Sequence, residues 1–138
     1  MKYPSKKPLL GLLSAALLLG LAAGGLYLKS VADYRRAVRE ISIRQPPLAD
    51  LADGLYAGQW DVGFISAKVE VEMEGGKIQS IRIIEHKNDR GQKAEAVIDK
   101  ILAEQRVDAD AVSCATNSSK VLQKAVEQAL EQGPIAKP

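Results

Sequence analysis

Residues Pro8 to Leu28 run without a single charged side chain and are dominated by Leu, Ala and Gly. As a helix, these 21 residues reach about 32 Å, which matches the roughly 30 Å hydrocarbon core of a bilayer. Lys2, Lys6 and Lys7 precede the run directly. Basic residues ahead of a first span favour a cytoplasmic N-terminus. Lys29, Arg35, Arg36 and Arg39 follow it and weaken that asymmetry. The rival reading is a cleaved signal peptide, with an apolar core of about 7–15 residues and small residues at the cleavage site. Ala22-Ala23-Gly24-Gly25 would serve, but the full-length apolar run favours an uncleaved anchor. No Cys follows the run, so a lipid-modified N-terminus is not available. Either way, residues 30–138 are expected on the extracytoplasmic side.

Charge divides the chain at the same place. Residues 1–44 carry eight Lys/Arg against Asp33 and Glu40, a net of +6. Residues 45–138 carry eleven Lys/Arg against fifteen acids, a net of −4. A nucleic-acid-binding domain needs its positive charge on the folded part, so that class is disfavoured. Hydrophobic residues make up 46% and charged residues 26%, too apolar for a disordered chain. One cysteine, Cys114, excludes an internal disulfide framework and a Cys-rich metal site. One histidine, His86, excludes a multi-His site.

The pattern predicts a cytoplasmic N-terminus at 1–7, a transmembrane helix at 8–28, a stem and linker at 29–50, a folded domain at 51–133 and a short tail at 134–138. In the stem, Val31, Tyr34, Val38 and Ile41 recur at helical spacing, and Pro46-Pro47 stops the helix. Leu55 to Phe64 reads as a strand, with Tyr56, Gly58, Trp60, Val62 and Phe64 on one face. Ser66 to Met73 alternates, turns at Glu74-Gly75-Gly76-Lys77, and returns as Lys77 to Ile84. Gly91 to Gln105 carries one apolar stripe of helical period, and so does Val121 to Leu130. Ser118 or Ser119 is the expected N-cap of the last helix. The fold class is therefore α+β: a small antiparallel sheet with two packed helices, preceded by one N-terminal transmembrane helix.

The segment Asp108-Ala-Asp-Ala-Val-Ser-Cys-Ala-Thr-Asn-Ser-Ser119 crowds hydroxyl and small residues into a loop before a helix. Such a loop can present backbone N–H groups and a helix N-terminus to an anion. On composition alone, a simple helix cap accounts for it as well. "DAVSCATNSS" also resembles the signature of a known family. This is the FMN-binding domain of flavin-carrying subunits in Na+-translocating NADH:quinone oxidoreductase and the related Rnf complex. The domain is also found in nitrous-oxide-reduction regulators, extracellular flavin reductases and small membrane-anchored flavoproteins. "DGLYAG", "GGKIQSIRIIEHKNDRG" and "AVEQAL" extend the resemblance over roughly Asp53 to Leu130.

The resemblance implies FMN as cofactor, with Thr116 as the residue that holds it through a phosphoester bond. It implies that Ser113, Cys114, Ala115, Asn117, Ser118 and Ser119 surround the phosphate. Asp110 matches the acid that a flavin transferase reads. Cys114 departs from the pattern, standing where the family usually has glycine. A lone cysteine reads first as a buried small hydrophobe, with a redox role as the alternative.

Several residues carry two readings. His86 stands where the family often has His, as a flavin contact or a solvent-facing loop residue. Tyr56, Trp60 and Phe64 are candidate ring contacts, with core packing expected for at least two. Gly58 and Gly63 permit close approach of a cofactor or form a bulge. Arg90 and Gly91 are assigned to the start of the first domain helix. Glu70, Glu72 and Glu74 read as a solvated strand face, not as an acid/base pair.

The expected function is a membrane-anchored extracytoplasmic flavoprotein that relays electrons. Its partners would be a flavin transferase for maturation, a quinone- or NADH-linked membrane donor and an external acceptor. It is read as a carrier rather than a complete enzyme. The alternatives are a catalytic extracellular flavin reductase and a flavin-free interaction or sensory domain of the same fold.

Overall fold

The computed structural model describes residues 7–88 and 91–136. Lys2, Lys6 and Arg90 lie outside the described residues. The chain divides into two units, Met1–Arg35 and Arg36–Pro138.

The first unit is built on α1 (Lys7–Glu40). Residues 8–30 are exposed on every side of it. A helix that is apolar all round suits a lipid surround rather than water. It is long and apolar enough to cross a membrane.

The second unit begins with the last turn of α1 and includes more of the stem than the sequence pattern suggests. Val38, Ile41 and Leu48 are buried in its core. Residues read as a linker therefore pack, because their apolar side chains have a core to join. Ile135 and Ala136 likewise pair with Leu55, where the pattern shows only a tail.

Three strands form an antiparallel meander in the order β1 (Gly54–Asp61), β2 (Ser66–Glu74), β3 (Lys77–Lys87). Gly75 and Gly76 close the β2–β3 hairpin at φ of 59° and 72°. This is the two-residue turn with positive φ at both positions, whose twist matches the strands. Ala67, Val69, Val71 and Met73 alternate inward from β2.

A 3₁₀ turn (Gln92–Glu95) leads into α2 (Ala96–Glu104), shorter than the single helix expected from Gly91. The helix α3 (Thr116–Gln132) packs across β1 and β2. Val121, Leu122, Ala125, Val126, Ala129 and Leu130 are all buried, as the apolar stripe predicts.

The period-two pattern fails in β3. Val69 faces Ile83, yet Lys68 faces Glu85, so Ile84 is an extra residue; a second bulge lies near Gln79. A bulge shifts every later side chain to the opposite face. Simple alternation from Ile81 and Ile83 would turn Glu85 inward. The bulge instead sets His86 in register with Ala67, on the helix-covered face.

Candidate functional site

The loop before α3 is held from within. Ala115 N–H donates to Val112 O at 3.0 Å. Ser119 Oγ accepts from Val112 N at 3.0 Å and donates to Ala115 O at 2.9 Å. Ser119 is fully buried, and its hydroxyl is used inside the protein. It neither caps the helix nor stands ready for a phosphate, contrary to the sequence expectation. Ser118 is not the cap either, because α3 begins two residues earlier, with Ala115 as N-cap. An alanine cap has no side-chain acceptor for the N–H groups of the first turn. Those groups lack partners within a helix, and the helix dipole adds partial positive charge there.

Thr116 opens the helix and is exposed, as are Ser113, Cys114 and Asn117. Ala115 and Ser118 are buried beneath them. An exposed hydroxyl beside a helix N-terminus is reachable by an esterifying enzyme, and the adjoining N–H groups suit a phosphate. Asp110 is exposed at the start of this loop, with its carbonyl oxygen 3.2 Å from Lys100 Nζ. Nearby, the Arg106 guanidinium hydrogen-bonds Asp108 and holds its carboxyl below the ordinary range.

Cys114 is exposed rather than buried, so the small-hydrophobe reading is wrong. Its φ is 65°, the left-handed region where a Cβ meets the following carbonyl. That explains the glycine usual in the family at this position: the loop needs the turn, and glycine takes it without strain. Relief of about 1–2 kcal/mol of strain, less glycine's entropy cost, leaves a net gain. Cys114→Gly is therefore expected to stabilise the fold by roughly 0.5–1 kcal/mol, read by urea unfolding. A loss of stability would show instead that the cysteine side chain makes a compensating contact.

His86 reaches the same region from β3. Its side chain is only 2% exposed, so it is not a solvent-facing loop residue. Nδ1 lies 3.1 Å from Glu95 Oε1. Asn88 follows, with Oδ1 accepting from Gly91 N at 2.9 Å. A Cβ on Gly91 would collide with Ser118 Oγ and lie 2.6 Å from Ser118 Cβ. Glycine thus lets the chain before the 3₁₀ turn press against the first turn of α3. Three elements converge: the end of β3, the 3₁₀ turn and the α3 N-terminus. His86 Nε2 is buried and without a hydrogen-bond partner among the described residues. An orphaned buried polar atom is uncommon enough to need an explanation.

The remaining candidates separate. Trp60 is half-buried, and its Nε1 is likewise buried and unpartnered among the described residues. It pairs with Ala67, which pairs with His86, so all three occupy one row of the sheet. A cleft lined by Trp60, Asp61, Ser66, Ala67 and Glu85 opens at that end. Tyr56 is 1% exposed, and its hydroxyl donates to Ala52 O at 2.7 Å; it is core, not a flavin contact. Gly58 faces the backbone of α3 at Ala125 and Ala129, which leaves no room for a ligand there. Phe64 is 40% exposed, beyond the end of β1, so of the three aromatics only Tyr56 is a fully buried core residue. Gly63 turns the chain at φ 93°. Glu70 pairs with Arg82 and Glu72 accepts from Ser80 on the outer face, as a solvated strand face does.

Sequence reasoning missed Glu95 and Asn88. Neither belongs to a periodic stripe, and their closeness to His86 depends on the bulge at Ile84 and on the turn at Gly91.

The family model of the FMN-binding domain matches residues 62–131, about half of the chain. Comparison with curated proteins finds no match, and neither does comparison with solved structures. The matched stretch contains β2, β3, the Thr116 loop, and His86 with its Glu95 and Asn88 partners. The ring nitrogens without a partner among the described residues and the exposed Thr116 at a helix start are consistent with a group that brings both hydrogen-bonding edges and a phosphate. The chain belongs to the FMN-binding domain family, and its cofactor is FMN.

Proposed function

We propose that the protein is a membrane-anchored, extracytoplasmic electron carrier whose FMN is tethered to Thr116 by a phosphoester bond. The observation that carries this reading is the exposed Thr116 at the first residue of α3, inside an FMN-binding domain. The apolar helix α1 supports the anchoring, and the lysines before it support a cytoplasmic N-terminus.

FMN supplies the redox chemistry when bound; the protein supplies attachment and orientation. Thr116 Oγ carries the tether. The N–H groups at the start of α3 and those of Ser113 and Cys114 neutralise the phosphate. Exposed Asp110 is available to a flavin transferase. A tether suits a carrier outside the cytoplasm, where free flavin diffuses away. Electrons would pass from a quinone- or NADH-linked membrane donor to an external acceptor.

The test is intact mass of the full-length chain after co-expression with a flavin transferase, beside Thr116→Ala. A gain of one FMN minus water is expected in the wild type and absent from the variant. An equal gain in both would move the tether elsewhere. No gain, together with no binding of free FMN, would remove the carrier reading and leave a flavin-free interaction domain.

A further inference from the structure

The unpartnered nitrogen of His86 has a defined chemical sense. Nδ1 has two neighbours, Glu95 Oε1 at 3.1 Å and Asn88 Nδ2 at 3.3 Å. The Asn88 amide is oriented by its other end, since Oδ1 accepts from Gly91 N. Its Nδ2 is therefore a donor, and it also reaches His86 O at 3.3 Å. One nitrogen cannot both donate to Glu95 and accept from Asn88. The shorter, charge-assisted contact with the carboxylate wins, which places the proton on Nδ1 and leaves Asn88 to donate to the carbonyl. A neutral imidazole with hydrogen on Nδ1 has a bare lone pair on Nε2. In that form the lone pair is the buried atom without a partner among the described residues, on a side chain 2% exposed.

A buried acceptor wants a donor. It repels phosphate oxygen, which has only lone pairs to offer, so His86 does not serve the phosphate end. We infer that His86 Nε2 accepts a hydrogen bond from the ring N–H of the flavin, and so reads the isoalloxazine end of the ligand. The inference rests on the FMN reading of this site. It assigns the two ends of FMN to different elements: the phosphate to the start of α3, the ring N–H to the bulged end of β3. Glu95 contributes by fixing the tautomer.

The test uses full-length protein in detergent, produced without a transferase, titrated at pH 8 with FMN and, separately, with riboflavin. Wild type is compared with His86→Asn and His86→Gln. Asn keeps a donor near the Nδ1 position for Glu95 but has nothing at Nε2. Gln keeps an acceptor near the Nε2 position. His86→Asn is expected to lose about tenfold in affinity, the worth of one good hydrogen bond, and to lose it equally for both flavins. His86→Gln should retain most of the affinity. Unfolding of the flavin-free variants, followed alongside, should change little. Equal affinity in wild type and His86→Asn would overturn the inference. So would a loss confined to FMN, which would place His86 at the phosphate. Failure of the wild type to bind either flavin would remove the site reading itself, a result distinct from both.

Discussion

Glu127→Ala is expected to lower the stability of the folded unit by about 3–5 kcal/mol, a large share of what a small domain possesses. Glu127 is a carboxylate with no exposed side-chain surface, and Lys124, at 11%, is nearly as deep. Lys124 Nζ donates to Glu127 Oε1 at 2.8 Å and to Ser42 O at 3.1 Å. Glu127 Oε2 accepts from Arg44 N at 3.0 Å. The ammonium also sits 5.5 Å from the centre of the Trp60 ring. Removing the carboxylate strands a buried cation and a backbone N–H together. Trp60 is the only tryptophan, so its fluorescence reports urea unfolding of the full chain in mild detergent. Replacing both partners, Lys124→Met with Glu127→Leu, should recover part of that loss, because the desolvation of two ions disappears with them, while Arg44 N–H and Ser42 O still lack the partners they have in the wild type. A loss below about 1 kcal/mol in the single variant would mean that the pair behaves as a solvated surface bridge.

These two residues also mark where reading the sequence stops. The α3 stripe from Val121 to Leu130 was legible because hydrophobic spacing reports a buried face directly. Lys124, Glu127 and Gln123 were not, since charged and amide residues on a helix read as its wet side. Lys124 and Glu127 are buried because Ser42 to Arg44 folds over that side, a contact more than eighty residues apart in sequence; the Gln123 amide instead donates to Val107 O and Ala109 O. Local pattern carries no information about such a partner. The meander and the Gly75-Gly76 turn were legible for the opposite reason, being fixed by neighbours in sequence.

The site divides in the same way. Thr116, the proposed tether, stands in a contiguous motif. The burial of His86 was not legible, because one extra residue at Ile84 reverses the alternation that the preceding isoleucines establish. Cys114 shows a third case. Its difference from the family pattern was visible at once, but its physical meaning needed the backbone angle. Burial could not be inferred from residue type when the turn itself pushes the side chain outward.

Gly58→Val is the second large effect, at about 3 kcal/mol or more of lost stability. Gly58 lies on the face of β1 that α3 covers. A Cβ there would overlap Ala125 O and Ala129 N and stand 2.7 Å from Ala129 Cα. All three are backbone atoms of a helix anchored along its length by Leu122, Val126 and Leu130. No rotamer change can open that gap, so either α3 lifts from the sheet or β1 bends. The φ of Gly58 is not left-handed, so the requirement is closeness alone rather than backbone freedom. This separates two explanations experimentally. If the obstacle is helix backbone, adding Ala125→Gly to Gly58→Ala removes a methyl group that was never in the way, and stability should not recover. Recovery in the double variant would locate the contact in side chains. The same displacement would reach the proposed flavin site, because α3 carries Thr116 at its first residue and Ser118 against Gly91. Any Gly58 variant that still folds should therefore bind FMN more weakly, although residue 58 touches no part of the site.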